Sequence, residues 1–209
     1  MKFKQYLNEK KGGITLLSEE QKELLEKKCS KILKLYRKSG DTFYRGISDS
    51  GDKLFIEKKG RITSRQPRNT PKEMHLELNK YFKEKFGWPV RNGISVSNNY
   101  GQATFYGRGY VFFPINTFKY CWSEKYSDLF GENSFLSSGI PIGISSRKDR
   151  REWLNKKKTT FKKIINTYTD KDLDRVLEFY ERREIMFKVG TYYLVDAYAT
   201  NEWLGIDKI

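Results

Sequence analysis

The sequence predicts an α+β fold in a single domain. Two capped amphipathic helices near the amino terminus are followed by short, alternating apolar runs with the period of strands. A chain of 209 residues is long enough to bury one substantial core. With 14 Tyr, 14 Phe and 4 Trp, large rings can build that core although the chain is heavily charged. No internal repeat or low-complexity linker divides it. Residues 1–209 therefore read as one domain, a helical segment over 1–40 leading into a core over 41–209.

Ser18 with Gln21 three residues later forms a capping box, since each side chain can satisfy the other's unpaired backbone donor. Leu24, Leu25, Cys29, Ile32, Leu35 and Tyr36 keep one face apolar as far as Arg37, and Gly40 supplies the stop. A short strand is expected over 42–46, and residues 54–61 suit either a strand or an irregular excursion. In Thr70-Pro71-Lys72-Glu73 the threonine is placed to cap, the proline to take the first helical position and the glutamate the third. Met74, Leu78, Tyr81, Phe82 and Phe86 then mark a buried stripe ended by Gly87. A half-buried strand follows over 93–97, then a short helix capped by Asn98 or Asn99 and broken by Gly107 and Gly109. The apolar run 110–115 suits a central strand. Loops are expected over 123–146, a basic helix over 147–165, and a shorter helix over 170–181 capped by Thr169. Two strands turning near 188–191 fill 184–197.

The formal net charge is +15, from 41 basic and 26 acidic residues. A field of that sign attracts phosphate-bearing partners, whether nucleic acid, a nucleotide or an acidic protein. Cys29 and Cys121 are the only cysteines, too few for a disulfide framework or a metal knuckle. The opening Met1-Lys2-Phe3-Lys4-Gln5 lacks the apolar stretch of a secretory signal, and no window reaches the roughly 20 apolar residues of a membrane span. The expectation is a cytoplasmic protein with no membrane partner.

His75 is the only histidine, which removes Ser-His-Asp and Cys-His catalysis and any two-histidine zinc site, so no metal is expected. In mid-helix it reads as structural or solvent-facing. There is no phosphate-binding G-x-x-x-x-G-K-[ST] loop, and Gly107-Arg108-Gly109 is too short for a dinucleotide fingerprint.

Three remote segments carry most of the functional signal. In Tyr44-Arg45-Gly46 an arginine at a strand end offers its fork to a phosphate or carboxylate, and the glycine permits close approach to the backbone. Taken alone, Arg45 is equally one surface cation among many. In Ser95-Val96-Ser97 the two hydroxyls share one face of a strand, a geometry that suits a carboxylate and a sugar as well as an exposed edge. Glu184 precedes Ile185, Met186 and Phe187 and shares strand parity with Met186. On the pocket side of a buried strand its carboxylate needs partners; at the rim it would pair with Arg182 or Arg183.

Together these segments resemble the arginine–serine–glutamate branch of the ADP-ribosyltransferase superfamily. Tyr44-Arg45-Gly46 matches first. Ser95-Val96-Ser97 follows, with Ala103 and Phe105 in a short helix. Glu184-Ile185-Met186 then leads to Gly190-Thr191-Tyr192-Tyr193. The stretch from Arg65-Gln66-Pro67-Arg68 through Trp122-Ser123 also resembles proteins of large tailed bacteriophages, on Thr70-Pro71-Lys72-Glu73, Lys85-Phe86-Gly87, Tyr106-Gly107 and Phe113-Pro114-Ile115. The resemblance covers about residues 42 to 197 as separated islands. It implies a split two-sheet α+β core with flanking helices that grips NAD, the substrate, and a phage-encoded mono-ADP-ribosyltransferase acting on a host macromolecule. By that resemblance Arg45 holds the NAD phosphate or ribose, and Ser95 braces Glu184 and the nicotinamide-side sugar. Tyr44, Gly46 and Ser97 line the cofactor site, the Gly46 backbone takes the carboxamide, and Phe105 or Tyr106 stacks on the nicotinamide. Glu184 bonds the ribose 2′-hydroxyl and stabilises the cation-like state as nicotinamide departs. Arginine-directed members carry Glu or Gln two residues before the catalytic glutamate, where this chain has Arg182, and Glu181 lies one position too early to replace it. The acceptor is left open.

Residues 147–163 hold nine basic side chains against Asp149 and Glu152, an excess of seven. Arg147, Arg150, Arg151, Lys156, Lys157 and Lys158 are interleaved with Trp153 and Phe161, as in surfaces that follow a phosphate backbone and stack bases. The same pattern fits a solvated helix with its aromatics packed inward. Arg65 and Arg68, with Arg61 and Lys72, precede a helix amino terminus and form a second candidate anion site. The expected acceptor is nucleic acid or a protein bound to it. The alternatives are a noncatalytic nucleic-acid-binding or virion-associated protein that retains the fold, and simple NAD hydrolysis.

Overall fold

A computed structural model describes residues 10–11, 14–48, 50–60, 70–129 and 146–206. In chain order these form β1 (Lys10–Lys11), β2 (Ile14–Thr15), α1 (Glu19–Ser39), β3 (Tyr44–Ile47), β4 (Phe55–Lys59), α2 (Lys72–Phe86) and, after a 3₁₀ turn over Val90–Asn92, β5 (Ile94–Ser97). Next come α3 (Tyr100–Thr104), β6 (Arg108–Pro114), β7 (Lys119–Ser123), α4 (Arg147–Asn166), β8 (Tyr168–Thr169) and α5 (Leu173–Glu178). β9 (Glu184–Lys188), β10 (Thr191–Asp196) and α6 (Ala197–Leu204) complete the order. The fold is mixed α+β, and its main sheet has eight strands, all paired antiparallel, in the order β4-β10-β6-β3-β5-β9-β7-β8.

Local chemistry sets most of these elements. Ser18 Oγ accepts from Gln21 N at 3.3 Å while Gln21 Oε1 accepts from Ser18 N at 3.0 Å, and Gly40 ends α1 at φ 66°. The helix kinks at Cys29. There Asn116 takes over backbone groups of the ladder, its Oδ1 accepting from Lys31 N at 2.9 Å and its backbone amide donating to Lys28 O at 2.8 Å. Pro71, not Thr70, is the residue at the start of α2. Helical geometry begins at Lys72 with no side-chain cap, and Thr70 is buried instead. Thr169 likewise does not cap a helix. It ends β8, and α5 starts after Asp172, whose φ is 53°. Asn99 is the cap of α3, its Oδ1 accepting from Gln102 N at 2.8 Å. The undecided stretch 54–61 contains a strand, β4, while β7, β8 and α6 have no counterpart among the elements expected from sequence.

The strand order decides the shape of the sheet. β9 and β10 are joined by Val189 and Gly190 alone, yet they are four places apart in the sheet. Across a flat sheet, four spacings of about 4.8 Å make roughly 19 Å. The three Cα steps available reach at most about 11 Å. The sheet must therefore fold on itself, half β4-β10-β6-β3 facing half β5-β9-β7-β8. Phe187 of β9 accordingly packs on Phe112 of β6 and Phe43, with ring centroids 5.1 and 5.9 Å apart. The two halves meet at β3 and β5, which share one register pair, Tyr44 with Ser97.

Ile185, Phe187 and Trp122 point into the core between the halves, which α1 also lines. Met186 and Cys121 point the other way, toward α2 and α4. Phe161, Ile164 and Ile165 hold α4 there, and Lys85 Nζ of α2 donates to the carbonyls of Ile165, Asn166 and Tyr168 at 3.1, 3.0 and 2.8 Å. No helix among the described residues is long and apolar enough to cross a membrane.

Candidate active site

The three sequence islands occupy neighbouring strands, β3, β5 and β9, and converge at the seam. Register pairs Ser97 with Glu184 and Ser95 with Met186, so Ser95, Ser97, Glu184 and Met186 share one face. Ser95 Oγ donates to Glu184 Oε1 at 2.7 Å. Arg45 Nη1 donates to the Ser95 carbonyl at 2.5 Å. Glu184 is further fixed through its backbone amide, which donates to Ser127 O at 2.7 Å.

Arg45 helps to hold the seam open. Phe112 N donates to Phe43 O, which makes 43 and 112 a bonded pair of the β3–β6 ladder and 45 and 110 the next one. By that alternation the amide and carbonyl of Gly46 point away from β6, toward β5. Beyond Tyr44 no further β3–β5 pair forms, and the Ser95 carbonyl takes the Arg45 guanidinium instead. The Arg45 Nε is buried without a hydrogen-bond partner. Gly46 is required for another reason as well: a Cβ there would stand 1.9 Å from the Ala103 carbonyl, so α3 rather than a ligand occupies the space above it.

A fourth residue, absent from the sequence reading, completes the cluster. Arg91 Nη1 lies 3.6 Å from Glu184 Oε2, and the two side chains are 8 % and 18 % exposed. Arg182 stays exposed and Arg183 turns to Glu181, bonding its Oε2 at 2.9 Å, so Glu184 belongs to the interior pair and not to a rim pair. Tyr168 is buried beside them. Burial first, then the charge of Glu184, hold its hydroxyl well above the ordinary phenol range, while Arg91 pulls it down. Arg91 thus faces the Glu184 carboxylate, while the Arg45 guanidinium holds the carbonyl of Ser95 next to it.

Other expected site residues take different places. Tyr44 is buried, its ring edge-on to Tyr100 at 5.4 Å, so it forms the wall under α3. Ser97 is buried too, and its hydroxyl donates to Gln102 Oε1 at 3.0 Å and accepts from Asn99 N at 3.1 Å, local bonds that shape the turn into α3. Phe105 and Tyr106 are 83 % and 66 % exposed at the end of α3, with Tyr106 beside Gly46. Two concavities stand out among the described residues, and neither is lined by Arg45, Ser95 or Glu184. One lies at Gly60, Trp88, Gly93 and Phe187. The other, about 320 Å³, lies at Lys28, Glu57, Asn116 and Tyr193.

On α4 the aromatic interleaving is corrected: Phe161 is fully buried and Trp153 half-buried, so Phe161 has no face to offer a base. Arg151, Lys156 and Lys158 are exposed, Lys157 lies 5.9 Å from the Trp153 ring, and Arg150 reaches Glu73 of α2 at 3.5 Å. Arg147 opens α4. Arg65 and Arg68 fall outside the described residues. Among the described residues no group of three His, Cys, Asp or Glu side chains converges to hold a metal.

Two polar residues, His75 and Asn79, on a mostly apolar helix stripe were the available signal for Arg91. Asn79 follows Leu78 on the buried face of α2, and Asn79 Oδ1 accepts from the Arg91 amide at 2.8 Å. No family model, curated protein or solved structure matches this chain.

Proposed function

We propose that the chain is an NAD-dependent mono-ADP-ribosyltransferase, with the split two-sheet core of that superfamily and with Glu184, Arg45 and Ser95 as its catalytic residues. The observation that carries the reading is the contact of Ser95 Oγ with Glu184 Oε1 at 2.7 Å beside the Arg45 guanidinium, three remote segments meeting where two strands part. NAD supplies an N-glycosidic bond whose cleavage releases nicotinamide and develops positive charge on the ribose. Glu184 sets a fixed anion against that charge, and an anion in a dry site favours a cationic transition state over its ground state. Ser95 holds one carboxylate oxygen still. Arg45, which has no carboxylate partner among the described residues, supplies a cation for phosphate, and its orphaned Nε suits a pyrophosphate oxygen. The Gly46 amide, turned toward the seam, suits the carboxamide, and exposed Phe105 or Tyr106 a stacked ring. Tyr44 and Ser97 shape the wall behind them.

The acceptor is an acidic host macromolecule, nucleic acid or a protein bound to it, recognised through Arg151, Lys156 and Lys158 on the outer face of α4. The resemblance to tailed-bacteriophage proteins makes the host cytoplasm the place of action. Arg182, exposed two residues before Glu184, argues against arginine as the acceptor. A noncatalytic nucleic-acid-binding or virion-associated protein is the second reading. It is favoured by the exposed Arg151, Lys156 and Lys158 on α4, a basic face that binds phosphates without any catalytic centre.

Nicotinamide release from NAD, measured with and without nucleic acid and cell lysate, separates the two. Wild type is expected to release it, and Glu184→Gln to lower the rate by about 10² to 10³ while still unfolding in one cooperative thermal transition. Silence from wild type in every mixture, together with salt-dependent nucleic-acid binding, would sink the enzyme and leave the second reading.

A further inference from the structure

Arg91 lies on none of the three strands at the seam, yet its guanidinium faces Glu184 Oε2, the carboxylate oxygen that Ser95 does not hold. Both partners are largely shielded, so water and salt screen the pair weakly. Its placement is built into the fold. The Arg91 amide donates to Asn79 Oδ1 at 2.8 Å, Asn79 Nδ2 donates to Asn92 Oδ1 at 2.9 Å, and His75 Nε2 lies 3.0 Å from that same oxygen. His75 and Asn79 stand one turn apart on the buried face of α2. Helix α2 therefore grips the turn Val90–Asn92 on both sides of Arg91, and the turn closes with Gly93 N donating to Val90 O at 2.9 Å.

We infer that Arg91, clamped by Asn79 of α2, is a positioning residue that fixes the Glu184 carboxylate for its work on NAD. The inference rests on the role proposed for Glu184. A carboxylate held by one hydroxyl still rotates about its last torsion; a fixed cation facing the other oxygen leaves one orientation. A half-buried carboxylate also needs a countercharge to stay in place. At 3.6 Å the contact is too long for a hydrogen bond, so the lone pairs of Oε2 remain able to accept from a sugar hydroxyl. Arg91 touches no reacting atom and acts through Glu184.

Two measurements on the full chain test this. Steady-state nicotinamide release is expected to show kcat lowered by about 10-fold to 100-fold in Arg91→Met with KM for NAD shifted less than about threefold, partial recovery in Arg91→Lys, and a smaller loss in Asn79→Ala. A kcat in Arg91→Met at or above that of wild type would make Arg91 a brake and overturn the inference. Thermal unfolding without NAD of wild type, Arg91→Met, Glu184→Gln and the double variant forms a cycle. The double variant is expected to recover most of the melting temperature lost in Arg91→Met, because no charge is then left buried alone. Strictly additive shifts would overturn the pairing, with Arg91→Lys in place of Arg91→Met should the latter not fold. If wild type releases no nicotinamide, the transferase reading fails on its own, and the unfolding cycle still decides the pairing.

Discussion

The β3–β5 seam and the outer face of α4 both display cations, and they differ in what holds those cations in place. At the seam, the Arg45 guanidinium is tied to a strand carbonyl, and Arg91 is clamped by a helix side chain through its backbone. On α4, Arg151, Lys156 and Lys158 project into solvent from a helix attached by its opposite, apolar face. Side chains in the first group have one geometry each, and those in the second have many. A reaction that depends on angles and tenths of an ångström needs the first kind. A partner that is itself a line of phosphates is content with the second, because the attraction is long-ranged and forgiving of position. Under the proposed function, the larger number of charges serves docking and the smaller, buried set serves the chemistry.

This contrast can be broken at several points. The largest effect is expected at the root of α4. Phe161→Ala removes a fully buried ring and should cost about 3–5 kcal/mol in denaturant unfolding; a loss below about 1 kcal/mol would mean that α4 is not held by its apolar face. At the seam, Ser95→Ala leaves one oxygen of Glu184 without its hydroxyl and should slow nicotinamide release about 10-fold to 100-fold, with a stability change near 1 kcal/mol. Activity at the wild-type level would show that the Ser95–Glu184 contact is only structural. On the outer face, changing Arg151, Lys156 and Lys158 together to Glu should weaken nucleic-acid binding and flatten its salt dependence by about one unit for each phosphate no longer neutralised. Nicotinamide release from NAD alone should not change. An unaltered salt slope would move the docking surface elsewhere.

The smallest effect concerns pH. Burial pushes the Cys29 thiol up to about 12 and holds the Tyr36 and Tyr168 hydroxyls well above the phenol range. The folded chain keeps these protons where the unfolded chain releases them, near about 8.5 for Cys and about 10 for Tyr. This contribution is fully present below about pH 8 and is lost as pH rises past about 9. Melting temperatures should therefore fall between about pH 8 and 10.5, less steeply in Tyr168→Phe, and a flat profile would contradict the buried protons.

Much of this was legible in the sequence wherever the signal was local. The capping box at Ser18 and Gln21, the Gly40 stop and the Asn99 cap each join residues three or four apart, so short-range geometry alone settles them. The three islands were found because their residue types suited one chemistry, although nothing local says that they meet. Local rules failed where a neighbour in space intervened. Thr70 has the right chemistry for a cap but is buried, and Thr169 was claimed by pairing with Trp122 on β7. Phe161 looked available for stacking until packing of α4 on α2 placed it inside. Strand β7 lacked a strong periodic signature and went unread, and so did helix α6, although Asp196 caps its start and Gly205 ends it at φ 67°.

From the chain alone came most of the helices and strands and the parity that sets Ser95, Glu184 and Met186 on one side of their strands, since helix and strand periods are written in successive side chains. Only folding in three dimensions decided that β9 and β10 part company across the sheet, that β3 and β5 touch at a single pair, and that Arg91 faces Glu184. Those outcomes depend on strand order and on a two-residue connection that forces the sheet to close on itself. Contacts between residues about ninety positions apart, such as Ser95 and Glu184, leave no periodic trace in a single sequence.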